Sequence, residues 1–215
     1  MKVVKIMTIK NPTAPAHTQK IQDSEQVNKI VITGLMAALC YVAFTFLKIP
    51  IPTPAGGMTA LHIGNAFCVL AALILGGVYG GLAGAIGMTI ADLMDPAYVV
   101  SAPKTFFLKL MIGLIAGFVA HRIARITEEH DRGYVLRWSV IASIAGLGFN
   151  VIADPVVGYL YKTYLLGIPQ EVSKIMATWA AGATAFNAVV GTIVVAVVYN
   201  ALRPVLKKAG MFYRI

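Results

Sequence analysis

Leu61 to Ala91 reads LHIGNAFCVLAALILGGVYGGLAGAIGMTIA, a stretch with no Asp, Glu, Lys or Arg. A bilayer core is crossed by roughly 20 apolar residues, so a charge-free run this long is one crossing too many for a single helix. The glycines of LGGVYGG divide it, and it reads as two short crossings joined by a tight turn that barely leaves the membrane. Outward from it, further apolar runs lie at Ile30 to Leu47, Phe106 to Ala120, Trp138 to Ala153 and Ile175 to Ala201. The reading is an all-α membrane protein, a bundle of six transmembrane helices.

The basic residues sort by loop. Lys2, Lys5, Lys10, Lys20 and Lys29 precede the first run; Arg122, Arg125, Arg132 and Arg137 lie between the fourth and fifth; Arg203, Lys207, Lys208 and Arg214 follow the sixth. The other five, Lys48, Lys104, Lys109, Lys162 and Lys174, fall on or near the opposite side. The positive-inside bias therefore predicts both termini in the cytoplasm. This divides the chain into a flexible cytoplasmic tail over 1–28, a membrane domain over 29–203 and a basic cytoplasmic tail over 204–215. No apolar signal-peptide core opens the chain.

Composition agrees. The hydrophobic fraction is 58% and only 13% of residues are charged, against about 25% charged in soluble domains. A net charge of +9 on cytoplasmic flanks fits anionic lipid headgroups and not nucleic acid. Cys40 and Cys68 fall inside apolar runs and read as packing residues, not as a disulfide or metal pair. Pro50, Pro52 and Pro54 end the first helix, because proline lacks an N–H and restricts its predecessor. The loop from Lys48 to Thr59 is then extracellular, stiff in its proline half and permissive at Gly56 and Gly57, as a cover over a site requires. Asp95-Pro96 closes the third helix. Small residues recur at four-residue spacing in Gly34/Ala38, Gly77/Gly81, Gly80/Gly84 and Gly113/Gly117, and in lipid such notches let helix backbones approach.

Polar side chains inside the spans are the functional signal, since a charge at the bilayer centre costs roughly 2.5–3.5 kcal/mol on insertion scales. The topology places His62, Asn65, Lys104, Lys109 and Trp179 near the outer ends of helices two, four and six. Asp92, Asp95, Asp154 and Tyr159 fall at the outer ends of helices three and five, with Asn150 and Asn187 nearer the midplane. Such a one-sided set describes an outward-facing pocket. Asn65, Asp92, Lys109, Asn150, Asp154 and Asn187 are its candidate polar contacts, and Tyr159 and Trp179 its candidate stacking rings. The plain packing alternative joins Asp92 to Lys109 as a buried pair and lets the asparagines bond neighbouring helices. No nucleophile motif, zinc-binding helix or phosphate-binding loop occurs, so no catalytic residue, metal or cofactor is expected. A stand-alone secondary transporter or small channel for a polar metabolite uses the same buried groups, and an internal repeat with broken helices is its mark; none is visible.

The stretch from His62 to Arg122 resembles the substrate-binding S components of energy-coupling factor (ECF) transporters, a branch of the ABC transporters. The shared features are an outer polar residue before a long apolar helix, a glycine-rich turn, a Gly-x-x-Gly helix ending in Ala91-Asp92, and the Pro103 to Lys109 entry into a glycine helix. The likeness extends to TAFNAVVGTIVVAVV in helix six. The resemblance implies a six-helix, multi-pass protein of a prokaryotic plasma membrane, without its own ATPase, that binds a water-soluble vitamin or precursor from outside. It implies a lid at Lys48 to Thr59, and docking on a membrane T component joined to two cytoplasmic ATPases. The family's Ala-x-x-x-Ala docking motif stands here as Gly34-x-x-x-Ala38. The resemblance points first to hydroxymethylpyrimidine or related thiamine precursors, with cobalamin, pyridoxine and other vitamins as alternatives.

Overall fold

The computed structural model of this chain describes residues 16–209; the parts of the two expected tails at 1–15 and 210–215 lie outside the described residues. The elements run α1 (Ala16–Phe46), β1 (Lys48–Pro52), β2 (Met58–His62), α2 (Gly64–Leu75), α3 (Gly77–Met94), a 3-10 turn (Val99–Ser101), α4 (Ala102–Gly117), α5 (Arg132–Leu160) and α6 (Gln170–Lys208). Wide π turns at Phe118–Ile123 and Tyr161–Leu165 extend α4 and α5. Among the described residues, five segments, carried by α1, α3, α4, α5 and α6, are long and apolar enough to cross a membrane.

The second expected crossing differs. Over Leu61 to Gly76 the helix occupies only the 12 residues of α2, about 18 Å at 1.5 Å per residue against a hydrocarbon core of roughly 30 Å. Leu61 and His62 belong instead to β2, which pairs antiparallel with β1 from Lys48↔His62 to Pro52↔Met58. The physical reason is position. α2 is buried along nearly its whole length and packs against α1, α3, α4, α5 and α6, so its N-terminal end meets protein, where non-helical backbone is tolerated. The segment read as a loop at Lys48 to Thr59 is thus mostly a hairpin. Ile49 and Ile51 carry the N–H groups that Pro50 and Pro52 lack, and its tip turns through Gly56 and Gly57 at φ +78° and +80°.

The helix ends also differ from the sequence boundaries. α1 begins at Ala16, inside the stretch read as a flexible tail, because 16–28 holds good helix formers and no Gly or Pro to stop them. α6 continues through Pro204 to Lys208, and α5 runs through Pro155.

Burial is inverted relative to a water-soluble domain. Ile30, Val31, Leu35, Phe46, Ile144, Ile152, Phe186, Val189, Ile193 and Val197 are exposed, whereas Asn65, Asp92, Lys109, Asn150 and Asn187 are buried. An apolar exterior of this extent fits hydrocarbon as its solvent. Inside, α3 is held by glycine on three sides. Gly80 and Gly84 lie against Ala72 and Cys68 of α2, Gly77 and Gly81 against Gly117, Gly113 and Leu110 of α4, and Gly87 against Ala37 of α1. A side chain at Gly80 or Gly113 would fall on the neighbouring backbone. Three of the four predicted notches are therefore internal seams. The fourth, Gly34/Ala38, is exposed, and nothing lies within 4 Å of where a Gly34 Cβ would stand.

Candidate functional site

A cavity of about 100 Å³ sits at the hairpin end of the bundle, beneath β1–β2. Its walls come from α3 (Asp92), α4 (Lys104, Thr105, Lys109), α5 and its π turn (Asp154, Lys162), α6 (Met176, Thr184, Asn187) and the hairpin with its turn (Thr53, Met58, Thr59, Ala60, His62). Of the candidate residues, Asp92, Lys109, Asp154 and Asn187 are brought together here. Asn65 and Asn150 are buried but do not line the cavity; the Oδ1 of each lacks a hydrogen-bond partner. Tyr159 is not among the lining residues, and Trp179 faces outward, 42% exposed, in a shallow apolar groove with Ile51, Leu61 and Phe186. Neither ring lines the cavity, Trp179 because it lies on the outward-facing stripe of α6 with Phe186.

The expected packing pair is replaced by another. Lys104 and Asp154 meet at 2.7 Å and join α4 to α5, whereas no ion pair links Asp92 to Lys109 among the described residues. Asp154, Gly158 and Lys162 recur at four-residue spacing on one face of α5 and its extension. Gly158 leaves the room through which Lys104 reaches, a Cβ there standing 3.5 Å from Lys104 Nζ. That i, i+4, i+8 pattern is the signal by which Lys162 is legible in the sequence. His62, Thr105 and Thr184 also line the cavity without having been chosen.

Asn187 fastens the cover. Its Oδ1 accepts from the His62 backbone N–H at 2.9 Å and its Nδ2 donates to the Ala60 carbonyl at 3.0 Å, so one α6 side chain satisfies two backbone groups of β2. A second latch lies at the rim. Lys48 donates to Asp95 Oδ2 at 2.6 Å, its ammonium stands 4.6 Å from the Tyr98 ring centroid, and Tyr98 donates its O–H to the Thr59 carbonyl at 3.2 Å. The Lys48 ammonium holds the Asp95 carboxyl below the ordinary carboxylate value. A depressed folded-state value means that the latch contributes fully above the ordinary range and is lost as pH falls through the lowered value. A dye on Pro54→Cys should accordingly gain mobility, read as falling anisotropy, as the pH falls below the ordinary carboxylate value of about 4. Asp95→Asn should give the low anisotropy throughout; a pH step that survives Asp95→Asn would assign the motion to another group.

Among the described residues, no three His, Cys, Asp or Glu side chains gather as a metal site. What the arrangement offers is a half-open polar chamber in an apolar bundle, lined by ammonium, carboxylate, hydroxyl and amide groups under a two-strand cover.

A family model described as "ECF-type riboflavin transporter, S component" matches residues 24–204. A UPF0397 protein of Leuconostoc citreum is 28% identical over 141 residues, covering 65% of this chain and 71% of the relative. A UPF0397 protein of Streptococcus agalactiae serotype Ia is 28% identical over 132 residues, covering 61% and 70%. No solved structure matches the chain.

Proposed function

Because this chain belongs to the ECF-type riboflavin transporter S component family, we propose that it is the substrate-binding membrane subunit of an ECF transporter for a small water-soluble vitamin or vitamin precursor. It crosses the cell membrane six times with both termini in the cytoplasm; the short α2 and the β1–β2 hairpin together take the place of one full-length span. Substrate enters from outside and is held beneath the hairpin. The observation that carries this reading is the covered polar cavity at one end of a bundle whose exterior is apolar.

Cavity size narrows the choice of vitamin. The cavity of about 100 Å³ is smaller than the roughly 150 Å³ that admits benzene, so a single-ring heterocycle of the hydroxymethylpyrimidine or pyridoxine type is the vitamin class that asks the least widening of it. Cobalamin is many times too large. A tricyclic flavin, the class named in the family description, requires the hairpin to move outward. Tight binding by the purified chain without ATP, with the compound that copurifies identified by mass spectrometry, tests the reading; uptake by this chain alone, without coupling subunits, would replace it with a self-contained transporter.

The T component and two ATPases complete the transporter, and the Gly34/Ala38 face is the proposed contact. Both positions are exposed and unused by internal packing. Gly34→Leu and Ala38→Leu should therefore leave thermal stability and substrate affinity unchanged while copurification with the T component falls by about tenfold or more, since bulk there separates backbones that must touch. Retained complex formation in both variants would move the docking surface elsewhere.

A further inference from the structure

We infer that the substrate carries a negative charge, a carboxylate or a phosphate ester, and that Lys109 and Lys162 receive it. This rests on reading the cavity as the substrate site and narrows its substrate class. The cavity is lined by three ammonium groups, Lys104, Lys109 and Lys162, and by two carboxylates, Asp92 and Asp154. His62, the remaining titratable wall group beside the Tyr98 phenol, adds positive charge or none. At the rim, Lys48 is matched by Asp95. The chamber therefore holds one positive charge more than its carboxylates balance.

The pairing shows where that surplus lies. Asp154 is taken by Lys104 at 2.7 Å. Lys109 is buried, and among the described residues neither it nor Lys162 has a carboxylate within ion-pair distance or a hydrogen-bond acceptor for its ammonium. A cation enclosed in low dielectric without a counter-charge is unstable relative to one that is paired. An anionic ligand supplies the missing partner and is held by charge-assisted hydrogen bonds, about twice the strength of neutral ones. Asp92, whose Oδ1 is left without a partner, remains for the polar edge of the ring.

Matched pairs of one neutral and one anionic compound test this on the full-length chain in detergent by calorimetry: hydroxymethylpyrimidine and its phosphate, pyridoxine and its 5′-phosphate, nicotinamide and nicotinate, riboflavin and flavin mononucleotide. In at least one pair the anion should bind about tenfold or more tighter, as one charge-assisted hydrogen bond implies. Lys109→Met and Lys162→Met should each reduce that preference to about threefold or less without lowering the melting temperature. Neutral members that bind as tightly as their anions in every pair that binds, or a preference unchanged in both lysine variants, overturn the inference and leave the S component reading standing. Binding by none of the eight compounds, together with a copurifying compound that is neutral, overturns it likewise. The S component reading itself fails on a different result, uptake by the chain without coupling subunits.

Discussion

Gly80→Ala is expected to remove the folded protein from the membrane fraction, although it adds a single methyl group. The Cβ would lie on the Cα and N of Ala72, and backbone, unlike the end of a flexible side chain, has nowhere to go. α3 must lift from α2, and the seams at Gly84 with Cys68 and at Gly113 with Gly81 open with it. Overpacking in ordinary cores costs about 1–3 kcal/mol; a methyl against backbone at the central helix belongs at or above the upper end. The matched control is Gly34→Ala, which makes the same chemical change where nothing lies within 4 Å and should gain up to about 1 kcal/mol from helix propensity. Yield of monodisperse protein and melting temperature read both. Comparable behaviour of the two variants would mean that the α2–α3 contact is looser than its geometry.

The second large effect belongs to Asp154. Its carboxylate and the Lys104 ammonium are largely buried, with side-chain exposures of 14% and 13%, and removing one partner of such a pair costs about 3–5 kcal/mol because the other charge stays buried and uncompensated. Asp154→Ala should therefore lower the melting temperature strongly and abolish substrate binding. The double variant Lys104→Met with Asp154→Met should recover most of the stability, since apolar groups of similar volume replace a buried pair at little cost, yet not the binding, because the cavity loses two of its polar walls. A single substitution costing under about 1 kcal/mol would show the pair to be solvated, and the chamber to be more open than it stands here.

Much of this was legible in order along the chain. The charge-free run from Leu61 to Ala91, broken by glycines, announced two adjacent helices, and α2 and α3 stand there. The gathering of Asp92, Lys109 and Asp154 at one end of the bundle was legible because an ionisable group in an apolar helix must find polar company, and the three share one cavity with Asn187, which the sequence placed nearer the midplane. Asn65, Tyr159 and Trp179 share that apparent depth, and Asn150 the deeper level of Asn187, but none of the four lines the cavity. Depth follows from position along a helix. Facing depends on the rotation of each helix about its axis, which is set by packing against neighbours.

The sequence by itself determined membrane residence, the apolar helices and their order, the glycine notches and the gathering of polar groups at one end, because hydrophobicity, charge and backbone freedom are properties of residues and short segments. Only the tertiary structure decided that three notches are internal seams and the Gly34/Ala38 notch is open, that the cover is a hairpin tied down by Asn187, that α2 stops short of a full span, and that Lys104 and not Lys109 holds a carboxylate. Each of those depends on which surfaces meet across long separations in the chain, and a contact between residues 125 apart, such as His62 with Asn187, is a property of neither.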